Sequence, residues 1–162
     1  MDLTWLLPYI LFLHVLGAIV AFGPTFAFPI IGAMGGKEPQ YANFATRVSA
    51  TITDRFVIPL GIFQGVTGAL LIWISGRDLF ASVWLLIAIV LYLIALIYGL
   101  TVQRSALHRV IDLSSTPPPP GTPPGPPPPE LMGAVAKVRR GGMLLGTLIV
   151  VIVFLMVVKP TF

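Results

Sequence analysis

The stretch LFASVWLLIAIVLYLIALIYGLTVQ, residues 79–103, contains no Asp, Glu, Lys or Arg. A helix needs about 20 mainly apolar residues to cross a hydrocarbon core of roughly 30 Å. Three other runs also lack these four residue types, namely Leu3–Gly36, Phe56–Gly76 and Gly141–Val158. The sequence therefore predicts an all-α integral membrane protein, a bundle of four transmembrane helices.

The composition indicates lipid as the main surroundings of the chain. Hydrophobic residues make up 56% of the 162 residues and charged residues only 10%, which is too little polar side chain for a water-soluble domain. The net charge of +4 does not indicate nucleic-acid binding, because the Lys and Arg residues lie in loops and at helix ends. The lack of cysteine excludes disulfides and thiolate metal sites.

We expect a single membrane domain over residues 1–162 with two polar connections. Apolar residues recur every three or four positions over 41–54, which predicts an amphipathic segment ahead of the second span. Residues 114–130 contain ten prolines and predict an extended polyproline II linker, or a docking site for a proline-binding domain. The helices are expected at about 4–34, 56–76, 80–110 and 131–158.

The distribution of Lys and Arg predicts the orientation. Eight of them follow the first and third spans, against two on the opposite side. The positive-inside rule places both connections in the cytoplasm and both termini outside. A basic collar is expected at the inner leaflet, as ordinary orientation chemistry. It consists of Arg104, Arg109, Lys137, Arg139 and Arg140.

Glycines in the spans predict close helix packing. Gly61 and Gly65 in the second span, and Gly142 and Gly146 in the fourth, have the small-xxx-small spacing that lets helix backbones approach. Gly17 in the first span is a further candidate. The alternative is that glycine is simply frequent in membrane helices.

Polar residues deep in the spans predict a cluster near the bilayer midplane. His14 lies about eleven residues into the first span, roughly 16 Å from its outer edge. Gln64 and Tyr92 reach a similar depth by the same count, and Thr67 lies one turn from Gln64. Buried polar groups in a membrane face the bundle interior and pair with one another. We therefore expect His14, Gln64, Thr67 and Tyr92 to lie together.

Three interpretations of His14 remain open. It donates one interhelical hydrogen bond, or it is a ligand of haem b or copper, or it takes part in proton or small-solute conduction. A second strong ligand at the same depth is missing from the sequence, which favours the first interpretation and the expectation of no cofactor.

The segment Leu13-His14-Val15-Leu16-Gly17-Ala18, the Pro59, Gln64, Thr67-Gly68 arrangement and Gln103-Arg104 resemble a known family. It is a bacterial domain-of-unknown-function family of predicted four-helix integral membrane proteins. The resemblance implies a multi-pass protein of the bacterial inner (cell) membrane and supplies no activity. The first-helix histidine has a more distant likeness to copper-resistance D type and membrane protoporphyrinogen-oxidase type proteins.

The residues do not indicate an enzyme. No helix combines a nucleophile, a base and an orienting acid, and the six acidic residues lie in loops or at helix borders. We expect a structural or accessory subunit that packs against other membrane proteins or associates with itself. The alternatives are a haem- or copper-binding protein using His14, and a conduction role.

Overall fold

The computed structural model describes residues 3–115 and 126–161 of the chain. Within these ranges the backbone is helical and contains no strand, which confirms the all-α prediction. Four helical stretches are long and apolar enough to cross a membrane, which confirms the four spans. The side on which the termini lie stays a prediction. The four stretches are Thr4–Lys37, Pro39–Ser75, Val83–Ser114 and Pro129–Val158.

The first stretch begins with the 3₁₀ turn Thr4–Leu6 and continues as α1, Leu7–Lys37. Pro24 and Pro29 lie inside α1 without ending it. Each proline removes one backbone N–H donor, and membrane helices tolerate this where neighbouring groups satisfy the freed carbonyl. His14 therefore lies in a helix that is continuous from one end of the bundle to the other.

The amphipathic segment and the second span form one continuous helical stretch. It comprises the 3₁₀ turn Pro39–Tyr41, helix α2 over Ala42–Ile52, the π-helical turn Thr53–Val57, and helix α3 over Ile58–Ser75. The widened π turn ends two residues before Pro59, whose ring has no N–H for the helix hydrogen bond. Helix α3 ends at Gly76, which adopts the left-handed conformation with φ of 59°.

The third span consists of α4, Val83–Tyr98, the π-helical turn Gly99–Gln103, and α5, Arg104–Ser114. It begins later than the predicted residue 80 because the Asp78 carboxylate accepts the backbone N–H of Phe80 at 2.8 Å and forms a turn. The fourth span is α6, Pro129–Val158. Most of the predicted proline-rich linker, residues 116–125, lies outside the described residues.

Helices α1 and α3 pack together, as do α4 and α6, and α5 packs against both α6 and α2. Small and polar side chains are prominent in the interior, where Ala21 and Ala88 are fully buried and Gln64 and Thr67 are buried with them. The other buried apolar side chains include those of Leu85, Leu107, Val110, Ile149 and Leu155. Most large apolar side chains point outward, and Phe80 is 85% exposed. This distribution fits lipid surroundings, where small residues let helices approach and burial of large apolar groups gives no advantage over contact with lipid.

Tryptophans mark one end of the bundle. Trp5 lies at the start of the first stretch, Trp73 at the end of the second and Trp84 at the start of the third. Tryptophan rings favour the level of the lipid headgroups. The Lys159 ammonium, at the end of α6, lies 5.9 Å from the centre of the Trp84 ring and joins the third and fourth spans at this level.

Candidate functional site

The imidazole of His14 joins α1 to α3. Its Nδ1 lies 2.9 Å from the Thr67 hydroxyl oxygen, and its Nε2 lies 2.9 Å from the Gln64 amide nitrogen. Gln64 and Thr67 are three residues apart, so they lie on the same face of α3. Both are buried, with exposures of 8% and 4%. The structure thus brings together His14, Gln64 and Thr67.

The direction of these hydrogen bonds follows from the Thr67 hydroxyl. This hydroxyl donates to the Phe63 carbonyl at 3.0 Å and lies 3.1 Å from the Gln64 carbonyl. Its oxygen therefore accepts from Nδ1–H of His14. The neutral ring then has a lone pair at Nε2, which accepts from the Gln64 amide. Both ring nitrogens of His14 are bonded to groups of the chain itself.

Two glycines make room for the cluster. A Cβ at Gly17 of α1 would lie 3.0 Å from the Gln64 amide oxygen, and a Cβ at Gly68 of α3 would lie 3.2 Å from Cε1 of His14. Each helix therefore has a glycine where the polar side chain of the other helix approaches. The Gln64 amide oxygen is buried and has no hydrogen-bond partner among the described residues.

Tyr92 of α4 bonds to a different part of α3. Its hydroxyl donates to the Gly61 carbonyl at 2.8 Å, and its ring lies over Gly65, where a Cβ would be 2.5 Å from the hydroxyl oxygen. Tyr92 therefore connects α4 to the α3 backbone instead of completing the contacts around His14. The polar residues form two interhelical joints, one on each side of α3.

The glycines of the sequence prediction have different surroundings. Gly17, Gly61 and Gly65 lie against side chains of neighbouring helices. On α6, a Cβ at Gly142 would meet only the Gln103 amide nitrogen at 4.0 Å, and one at Gly146 would meet nothing within 4 Å. Sequence reasoning missed Gly68 as a packing position; a Cβ there would meet the His14 ring of α1.

A third polar joint lies at the charged end of the spans. The Gln103 amide donates to the Val138 carbonyl of α6 at 3.1 Å, and its oxygen is buried without a partner among the described residues. The Gln103 oxygen and the Tyr98 hydroxyl both occupy the space that a Cβ at Gly141 would need. The third and fourth spans therefore meet at Gly141, one residue before the predicted Gly142.

Charged side chains connect the second and third spans at the same end. Asp54 accepts from Arg104 Nε at 2.8 Å and lies 3.2 Å from Nε2 of His108. Arg109 lies 3.3 Å from Glu130 at the start of α6. Two residues of the predicted basic collar, Arg104 and Arg109, are therefore in ion pairs. The other three, Lys137, Arg139 and Arg140, are exposed on α6.

The sequence matches one known protein-family model. Residues 8–160 match the model described as "Predicted integral membrane protein (DUF2269)". The chain belongs to this family. The resemblance stated from the sequence is thereby confirmed, and this DUF2269 protein is a multi-pass integral membrane protein embedded in a lipid bilayer. No curated protein and no solved structure matches the chain. The likeness to copper-resistance D type proteins stays a prediction.

The histidine site of this DUF2269 protein does not fit a haem or copper ion. Coordination needs the lone pair at Nε2 of His14, and the Gln64 amide donates to that atom. His108, the other histidine, is bonded to Asp54 at the end of the spans. Among residues 3–115 and 126–161 no three His, Asp or Glu side chains form a group that could hold a metal ion.

Proposed function

We propose that this DUF2269 protein is an accessory subunit of the bacterial inner membrane that packs against another membrane protein through α6. The observation that carries the proposal is the difference between its two glycine pairs. Gly61 and Gly65 lie against Leu96 and Tyr92 of the same chain. The space beside Gly146 is open, and that beside Gly142 nearly so. Small-xxx-small pairs let a second helix backbone approach closely.

The hydrogen bonds of His14 support a structural role for the polar cluster. Both ring nitrogens form hydrogen bonds between α1 and α3, so the imidazole stabilises the packing of these two helices. Proton or solute conduction is less well supported, because the Thr67 hydroxyl donates back to the Phe63 carbonyl of its own helix. The hydrogen-bonded chain that starts at His14 thus ends on the backbone of α3.

Native purification in a mild detergent tests the proposal. The tagged protein should co-migrate with a larger membrane protein, and Gly146→Leu should lower the recovered amount of that protein about tenfold, since bulk at a close helix contact costs roughly 1–3 kcal/mol. Gly23→Leu is the matched control, because Gly23 also lies in a span and has open space around it. It should leave recovery unchanged.

Three results would overturn the proposal. Migration as a single 17.4 kDa chain would show that no partner is bound, and migration at a multiple of that mass would indicate self-association. A Soret absorption band that His14→Ala abolishes would replace the accessory role by haem binding.

A further inference from the structure

A basic groove lies between α2 and α5 at the charged end of the bundle. It has a volume of about 240 Å³, and none of its lining residues belongs to α6. Arg47 and Arg55 come from α2 and the π turn that follows it, and His108 comes from α5. The remaining lining residues are Ala50, Thr51, Asp54 and Ile111.

The charges in this groove favour an anion. Its carboxylate, Asp54, is already paired with Arg104 at 2.8 Å, outside the groove lining. Arg47 and Arg55 form no ion pair within the part of the chain that the structure describes, and both are exposed. The groove is therefore lined by two guanidinium groups, whereas the charge of its carboxylate is already balanced by Arg104. An arginine fork binds phosphate oxygens through paired hydrogen bonds.

The groove also lies at the level where the chain enters the membrane. The charge-free runs begin at Phe56, directly after Arg55, and end at Gln103, directly before Arg104. A second groove, of about 300 Å³, is also lined by His108. It extends past Arg104 to Leu100, which lies within the charge-free run. Phe56 follows the groove residue Arg55 in the sequence, and its side chain is 52% exposed. The two grooves therefore share His108, and the second extends from it to an apolar side chain.

We propose that this groove binds the headgroup phosphate of an anionic phospholipid from the adjoining leaflet. Arg47 and Arg55 bind the phosphate oxygens, and an acyl chain follows the second groove past Leu100. The bilayer supplies such a ligand at this depth and in large excess, whereas a soluble anion reaches the groove only from the water side. The proposal holds whether or not α6 docks a partner.

Lipid retention tests this site in the full-length protein. The protein is exchanged into phosphatidylcholine nanodiscs with and without phosphatidylglycerol, and bound lipid is counted by native mass spectrometry alongside the thermal unfolding temperature. The wild type should retain phosphatidylglycerol and unfold at a higher temperature when it is present. Arg47→Gln with Arg55→Gln should weaken retention about fivefold per arginine.

The control variant carries Arg139→Gln and Arg140→Gln, which remove the same charge from the same end of the bundle without touching the groove. It should retain phosphatidylglycerol as the wild type does. Both variants should unfold like the wild type in pure phosphatidylcholine. Equal loss in the two variants would overturn the proposal in favour of nonspecific charge attraction. Full stabilisation by inorganic phosphate alone, with no gain from phosphatidylglycerol, would overturn the lipid as the source.

Discussion

Gly17 of α1 lies against the amide oxygen of Gln64, the residue of α3 whose amide nitrogen bonds to His14. A Cβ at position 17 would be 3.0 Å from that oxygen. His14 and Gly17 are three residues apart, as are Gln64 and Thr67, so each helix presents its polar and contact residues on one face. The hydrogen bonds and the close approach of the two helices therefore depend on each other.

Gly17→Ala should destabilise the protein by about 1–3 kcal/mol, because the added methyl group displaces Gln64 or separates α1 from α3. Gly23→Ala is the control, since a Cβ there would meet nothing within 4 Å. Unfolding of the purified protein by SDS in mixed micelles measures both. Equal stability of the two variants would mean that α1 and α3 do not depend on this contact.

His14→Ala should cost about 1–3 kcal/mol, because it removes two interhelical hydrogen bonds and leaves the buried Gln64 amide unpaired. Leu13→Ala controls for loss of side-chain volume, since Leu13 is 43% exposed on the outside of α1. The same unfolding assay applies. A loss no greater than that of the control would contradict a structural role of the imidazole.

Gly141→Ala should be more harmful than any other glycine replacement in α6, because both Gln103 and Tyr98 occupy the space of the new methyl group. A loss of about 2 kcal/mol is expected from overpacking of this kind. Gly133→Ala in the same helix has open space and should gain up to about 1 kcal/mol from helix propensity. Thermal unfolding in detergent compares the two, and the opposite order would refute the contact at Gly141.

Asp54 and Arg104 should couple weakly in a double-mutant cycle. Their side chains are 28% and 52% exposed, so solvent screens the ion pair and a coupling of about 0.5 kcal/mol is expected. The coupling should fall as salt is added. Pairing Asp54→Asn with Arg109→Gln should give no coupling, because Arg109 contacts Glu130 instead. A coupling that salt does not reduce would indicate a pair shielded from water.

The orientation can be measured directly because the chain contains no cysteine. Ser75→Cys, at the end of α3, should react with a membrane-impermeant maleimide in intact bacterial spheroplasts. Ser115→Cys, after α5, should react only after the membrane is permeabilised. Both residues are exposed. The reverse pattern would place the basic connections outside and would contradict the positive-inside assignment.

The sequence by itself determined the fold class and the four spans. Charges are costly in hydrocarbon, so runs such as Phe56–Gly76 reveal a membrane helix by length and composition alone. Counting residues from the ends of the runs also predicted that His14 and Gln64 lie at a similar depth, because the rise per residue of a helix is fixed. Depth along the helix axis is thus available from the sequence.

Only the tertiary structure decided which side chains meet. Each residue turns about 100° around the helix axis, and spans that are apolar on all sides carry little signal of which face points inward. Tyr92 was predicted to join His14 but bonds to Gly61, and contact occurs at Gly141, next to the predicted Gly142. The π turns at Thr53–Val57 and Gly99–Gln103 further change the helix phase. Rotation about the axis is set by packing between helices, and packing exists only in the folded bundle.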